Sequence, residues 1–195
     1  MSEVSWPRLR WWALLGLLGG SGAWSAPAAG PAAHYAFTAA TALGEDSSSA
    51  QRTATVTAAR SGPGLVGTGL VLDGQGGLSV PGPLDLSGGF ALELWVKFAA
   101  VTDSVNLASR DNQFLLRLDP VAEGLNLSFF VMVGKNLEPR VRTPRPQPDT
   151  WYHLVATWDG EYAALWVNGR QYRQARRGVL GESTAPVAVG SGSPW

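Results

Sequence analysis

Cysteine is absent from the 195 residues. That excludes a disulfide framework, a thiol nucleophile, a cysteine-ligated zinc and a lipid-carrying cysteine, so the core must hold by packing alone. Charge is sparse, at 15% of residues, and balanced between 15 basic and 15 acidic side chains. The cationic surplus that displaces phosphate counterions is missing, and no nucleic-acid partner is expected. Arg140, Arg142, Arg145, Arg170, Arg173, Arg176 and Arg177 form the one local excess, read as arginines of loops and edge strands. Histidine occurs twice, as His34 and His153, in no metal-ligating or protease spacing. The glycine-rich stretch 62–77 has neither the lysine nor the following helix of a phosphate cradle, so its glycines serve turns.

Arg8 and Arg10 precede an apolar run over 11–18, and small residues follow as far as Ala33. This is the charged, hydrophobic and small-residue order of a secretory leader. The run is shorter than the ~20 residues that span a bilayer. The expected organisation is a signal peptide over 1–28, with Ala23, Ser25, Ala26 and Ala28 as cleavage positions and a small-residue spacer to about 33. One domain then covers 34–195. The mature chain is expected outside the cytoplasm, secreted, on the cell surface or in the periplasm, without a membrane span.

From His34 onward the apolar pattern has period two. Phe90, Leu92, Leu94, Val96 and Phe98 fall on one face of a strand, and Ala91, Glu93, Trp95 and Lys97 on the other. A second run over 125–133 alternates likewise, and the strongest hairpin signal joins 151–158 to 161–167 through Asp159-Gly160. Asn168-Gly169 turns the chain again into 171–174. Further strands are expected at 34–37, 53–58, 69–73, 77–80 and 114–118, separated by Gly- or Pro-containing turns. Pro144, Pro146 and Pro148 make a loop before Trp151. The predicted fold is all-β, an antiparallel two-sheet jelly-roll sandwich, with Phe90, Leu92, Leu94, Val96, Leu127, Phe129, Val155 and Leu165 in the core.

Candidate chemistry is confined to that second strand face. Glu93 and Lys97 flank Trp95 as a same-face polar pair, and with Trp166 they are the predicted ligand-contacting residues, because indole faces stack on sugar rings. Glycoside hydrolysis needs two carboxyl groups about 5 to 9 Å apart. No second acid shares the strand of Glu93, so no catalytic residue is assigned and no enzyme is expected. Asn126-Leu127-Ser128 matches a glycosylation acceptor but lies inside a predicted strand.

The order of Asp46-Ser47-Ser48, GTGLVLDGQGGLSV at 67–80, FALELWVKF at 90–98, then WYHLVATWDG and ALWVNG between Trp151 and Gly169 resembles the laminin G-like, concanavalin A-like jelly roll of bacterial secreted proteins. The resemblance runs from His34 to the end, and its specific part is the aromatic, histidine, Asp-Gly and Asn-Gly hairpin. It implies a non-catalytic extracellular binding module for carbohydrate or another extracellular polymer. The alternative is a structural or adhesion module for protein partners, and a more distant one a glycoside hydrolase-like domain without its carboxylates. Some members hold calcium near the first and last strands, which would fall here to Glu45 and Asp46. The family pattern also continues past a strand like VAVG into a closing strand. This sequence stops at Trp195, which predicts a fold lacking its final strand and an open sheet edge for a protein partner.

Overall fold

The structure, a computed structural model, describes residues 4–12, as a backbone path, and 30–190. The expected cleavage positions and the end of the chain lie outside the described residues. Those residues form antiparallel strands: β1 (Val4–Trp12), β2 (Ala33–Tyr35), β3 (Thr55–Pro63), β4 (Thr68–Val80), β5 (Phe90–Phe98), β6 (Val105–Arg110), β7 (Phe114–Leu118), β8 (Leu127–Val133), β9 (Asn136–Arg142), β10 (Trp151–Trp158), β11 (Tyr162–Val167), β12 (Arg170–Ala175) and β13 (Val187–Val189). One 3-10 turn, Val121–Glu123, is the sole helical element among them.

Two layers face each other, as predicted for a jelly-roll sandwich. One runs β12-β11-β10-β5; the other runs β3-β4-β13-β6-β7-β8-β9. β1 pairs with β5 on one side and with β4 and β2 on the other, linking the two layers. Strand alternation sends Phe90, Leu92, Leu94, Val96 and Phe98 of β5 into the core, where they meet Phe114, Leu127, Phe129, Leu154 and Leu165. Phe90 lies against Phe114 at 4.9 Å and edge-on to Phe129 at 6.1 Å, the tilted arrangements that aromatic quadrupoles prefer.

Several boundaries depart from the sequence pattern for local reasons. The run over 125–133 enters its strand only at Leu127, because Gly124 and Leu125 take φ of 93° and 55° to leave the 3-10 turn. The segments 69–73 and 77–80 join into one strand, β4, whose Gly76 touches β3 so closely that a Cβ would stand 1.9 Å from the Thr57 carbonyl oxygen. β6 and β9 were not predicted. β9 carries Pro139 and charged residues and lies at a sheet edge, where a missing N–H is tolerated. Val155 corrects the core assignment: Leu154, Ala156 and Trp158 turn inward, so Val155 lies on the outer face. The Asn168-Gly169 turn has both residues at positive φ, 49° and 83°, the signature of a type I′ hairpin. Asp159-Gly160 does not: only Gly160 has positive φ, and the Asp159 carboxylate instead accepts from the N–H groups of Glu161 and Tyr162 at 2.9 and 2.7 Å.

Candidate functional site

The outer face of the four-stranded layer gathers the aromatic residues that the core excludes. Cross-strand register places Lys97 beside Trp151, Trp95 beside His153, and Glu93 beside Val155, which in turn pairs with Trp166 on β11. Trp95, Trp151, Trp166 and His153 are all half-buried. With strands about 4.8 Å apart and same-face residues about 7 Å apart along a strand, Trp95 and Trp166 stand more than one sugar ring from each other. The face therefore suits an extended chain better than a single small molecule.

The polar groups here are held by neighbours. His153 Nε2 lies 3.0 Å from Glu93 Oε1, and its ring stacks on Trp95 with centroids 4.8 Å apart and planes inclined by 27°. The His153 backbone N–H donates to Asn168 Oδ1 at 2.8 Å, tying the strand to the type I′ turn. The Lys97 ammonium sits 5.5 Å from the Trp151 ring centroid, within cation–π range. Thus Glu93 and Lys97 share the face with Trp95 as predicted, but each engages β10 across the strand. All four predicted ligand-contacting residues, Trp95, Glu93, Lys97 and Trp166, lie on this one face. His153 and Trp151 complete it and were not selected from the sequence. Their signal was available: odd positions from Trp151 through Thr157 must point away from a core that takes Leu154 and Ala156.

Glu45 and Asp46 do not join this face. Asp46 is 6% exposed and accepts from the backbone N–H groups of His34, Ser48 and Arg52 at 2.7 to 2.8 Å and from the Ser48 hydroxyl at 2.8 Å. Burial alone would raise its pKa, but the four donors outweigh that and lower it. Both oxygens face N–H and O–H hydrogens, a donor set that favours the anion and competes with a cation. Glu45 is exposed. No group of three acidic or histidine side chains with metal-ligand geometry occurs among the described residues.

Two other polar clusters lie away from this face. On the outer face of the second layer, Arg117 and Arg140 cover the Phe130 ring from 4.9 and 4.7 Å. Both arginines bond the fully buried Asp119 carboxylate, at 3.0 and 2.6 Å, and Ser128 Oγ donates to it at 2.6 Å. This network satisfies itself. A cavity of about 610 Å³ opens between residues 82–87 and 179–184. On its floor the buried Arg110 guanidinium donates to the carbonyls of Leu84, Ser183 and Ala185 and to Gln113 Oε1, at 2.7 to 3.1 Å. Burial lowers the Arg110 pKa while the field of Asp85 opposes that shift. The guanidinium is thereby committed to pinning loops.

Comparison with known proteins agrees with the sandwich. The family profile described as the concanavalin A-like lectin/glucanases superfamily, Laminin_G_3, matches residues 72–195. Among solved structures, a similar fold is domain 4 of AbnA, a GH43 extracellular arabinanase from Geobacillus stearothermophilus, in complex with arabinotriose. The likeness covers 81% of this chain and 82% of that one, with a TM-score of 0.65 and 21% sequence identity. No curated protein matches the chain.

Proposed function

Starting from the chain's membership of the concanavalin A-like lectin/glucanases superfamily, we propose that it is a non-catalytic extracellular carbohydrate-binding module whose glycan lies across Trp95, Trp151 and Trp166. The observation that carries this reading is the outer face of β5, β10 and β11. It presents three half-buried indoles with an adjacent Glu93–His153 pair and a lysine, without a second strand-borne carboxylate among its described residues. Indole faces supply apolar stacking for the C–H face of a sugar, and the flanking carboxylate, imidazole and ammonium supply hydrogen bonds to hydroxyls. A single acid next to a histidine cannot perform the two-carboxylate chemistry of glycoside hydrolysis. The similar arabinanase domain, in complex with arabinotriose, supports a glycan ligand, and its description as extracellular agrees with a leader over residues 1–28.

The test is binding of the full chain to arabinotriose, arabinan and a panel of other linear polysaccharides, by calorimetry for the soluble ligands and pull-down for the insoluble ones. Trp95→Ala and Trp166→Ala are each expected to weaken binding at least about tenfold while leaving the β-sheet dichroism unchanged. Binding that survives both substitutions together would move the site elsewhere, and hydrolysis of any of these glycans by the purified chain would overturn the non-catalytic assignment.

A further inference from the structure

The outer face of the four-stranded layer ends on a strand rich in cations. Residues 162–181 hold Arg170, Arg173, Arg176 and Arg177 and no acidic residue, and β12, the edge of the layer, carries the first two. Arg173 belongs to the outer face: it pairs with Ala164, which pairs with Thr157, on the side turned away from the buried Leu165 and Ala156. The cross-strand registers together put Lys97 of β5, His153 of β10, Trp166 of β11 and Arg173 of β12 on one diagonal, each one strand over and two residues along from the last. Diagonal neighbours on a sheet are about 7 to 8 Å apart, so the cations at the two ends stand about 20 to 25 Å from each other. Both ends are built alike. The Lys97 ammonium lies 5.5 Å from the Trp151 ring centroid and the Arg173 guanidinium 4.9 Å from that of Tyr162, and neither has a carboxylate in ion-pair range among the described residues. The single carboxylate among the described side chains of this face, Glu93, is engaged by His153 at 3.0 Å. In the adjoining turn Asp159 accepts from the N–H groups of Glu161 and Tyr162, and Glu161 pairs with Arg177 at 2.8 Å.

We propose that, on the reading of this face as a glycan site, its ligand is an acidic polysaccharide whose carboxylate or sulfate groups are met by Lys97 at one end of the diagonal and Arg173 at the other. Charge complementarity selects that occupant. Two cations so far apart lie beyond the reach of any one small anion, and a chain that carries repeated charges meets both. Between them the imidazole of His153 and the indole of Trp166 offer ring faces for the sugars that link one charge to the next. A polynucleotide, with a phosphate on every unit, needs a denser cationic track than these two side chains provide. Exposed charges are screened over about 10 Å at 0.1 M salt. Lys97 and Arg173 therefore act independently, and the losses on removing them multiply.

The experiment measures binding of the full chain to pairs of polysaccharides that share a backbone and differ in charge: polygalacturonate against its methyl ester, and dextran sulfate against dextran. In at least one pair the acidic member is expected to bind about tenfold more tightly at low salt, an advantage that shrinks as salt rises. A preference in the galacturonan pair assigns carboxylate recognition, and one in the dextran pair sulfate recognition. Lys97→Gln and Arg173→Gln should each remove about threefold of the advantage, the double variant all of it, and Arg173→Lys little of it. Trp166→Ala should weaken both members of a pair alike. Equal binding within both pairs, or an advantage that persists in the double variant, would overturn the acidic ligand and leave the glycan face standing. So would neutral chains bound while the acidic ones are refused, or single-stranded DNA bound more tightly than either acidic chain. Binding of no polysaccharide at all would remove the glycan face itself, and the acidic ligand with it.

Discussion

The imidazole of His153 lies 4.8 Å from the indole of Trp95, centroid to centroid, while its Nε2 meets Glu93 Oε1 at 3.0 Å. A histidine on β10 thus holds both the aromatic and the acidic residue of β5 that the proposed glycan site uses. His153→Ala should leave the fold intact but free the indole to rotate. Glycan affinity should fall by about three- to tenfold from lost preorganisation, whereas His153→Phe, which keeps the stack and loses the Glu93 contact, should retain most of it. Calorimetry on the two variants separates the contributions.

Tryptophans on opposite faces should respond differently to truncation. Trp158 is 2% exposed and lies in the core, so Trp158→Ala is expected to cost about 3 to 5 kcal/mol of stability. Trp166, half-buried on the outer face, should lose less than about 1.5 kcal/mol as Trp166→Ala while weakening glycan binding strongly. Denaturant titrations of both variants provide the comparison.

Asp46 ties the segment around β2 to the loop before β3, and its carboxylate pKa is lowered by the donors around it. A group depressed in the folded state stabilises the fold above its unfolded pKa of about 4. That contribution disappears as pH falls through the folded value. Asp46→Ala should destabilise the chain by about 2 to 4 kcal/mol at pH 7 by stranding three N–H groups. The difference between wild type and variant should shrink below pH 4, as read by melting temperature across a pH series.

Arg110 donates through three of its nitrogens to four acceptors on three segments. Lysine has one nitrogen and cannot reproduce that fork. Arg110→Lys is therefore expected to destabilise by about 2 to 4 kcal/mol and to increase hydrogen exchange in residues 82–87 and 179–184, with glycan binding at Trp95 unchanged in the folded fraction. Exchange mass spectrometry locates the effect.

How much of this was legible in the sequence varied with the range of the interaction. The bounds of β5 and β10 were predicted to the residue; the nine-residue alternation of β5 also gave its buried face, whereas β10 carries large apolar side chains on both faces and its inward parity was misassigned at Val155. β6 and β9 escaped: Asn106, Ser109, Glu138 and Arg140 dilute the alternation, and these strands form only because neighbours supply their ladders. The Glu93, Trp95 and Lys97 face was visible as the non-core side of one strand, and Trp166 as an aromatic on another.

Their juxtaposition was not visible, nor was the role of His153, since both depend on which strands become neighbours. By itself the sequence determined the all-β class, the absence of thiol chemistry, the principal hairpin turns and the parity that turns Trp95 away from the core, because these follow from local stereochemistry and from burial of apolar side chains along one strand. Only the tertiary structure decided that β10 lies between β5 and β11, that Asp46 accepts four protein hydrogen bonds, and that Val4–Trp12 enters the sheet. Pairing between distant segments is selected by the whole core at once, and no window of sequence contains that information.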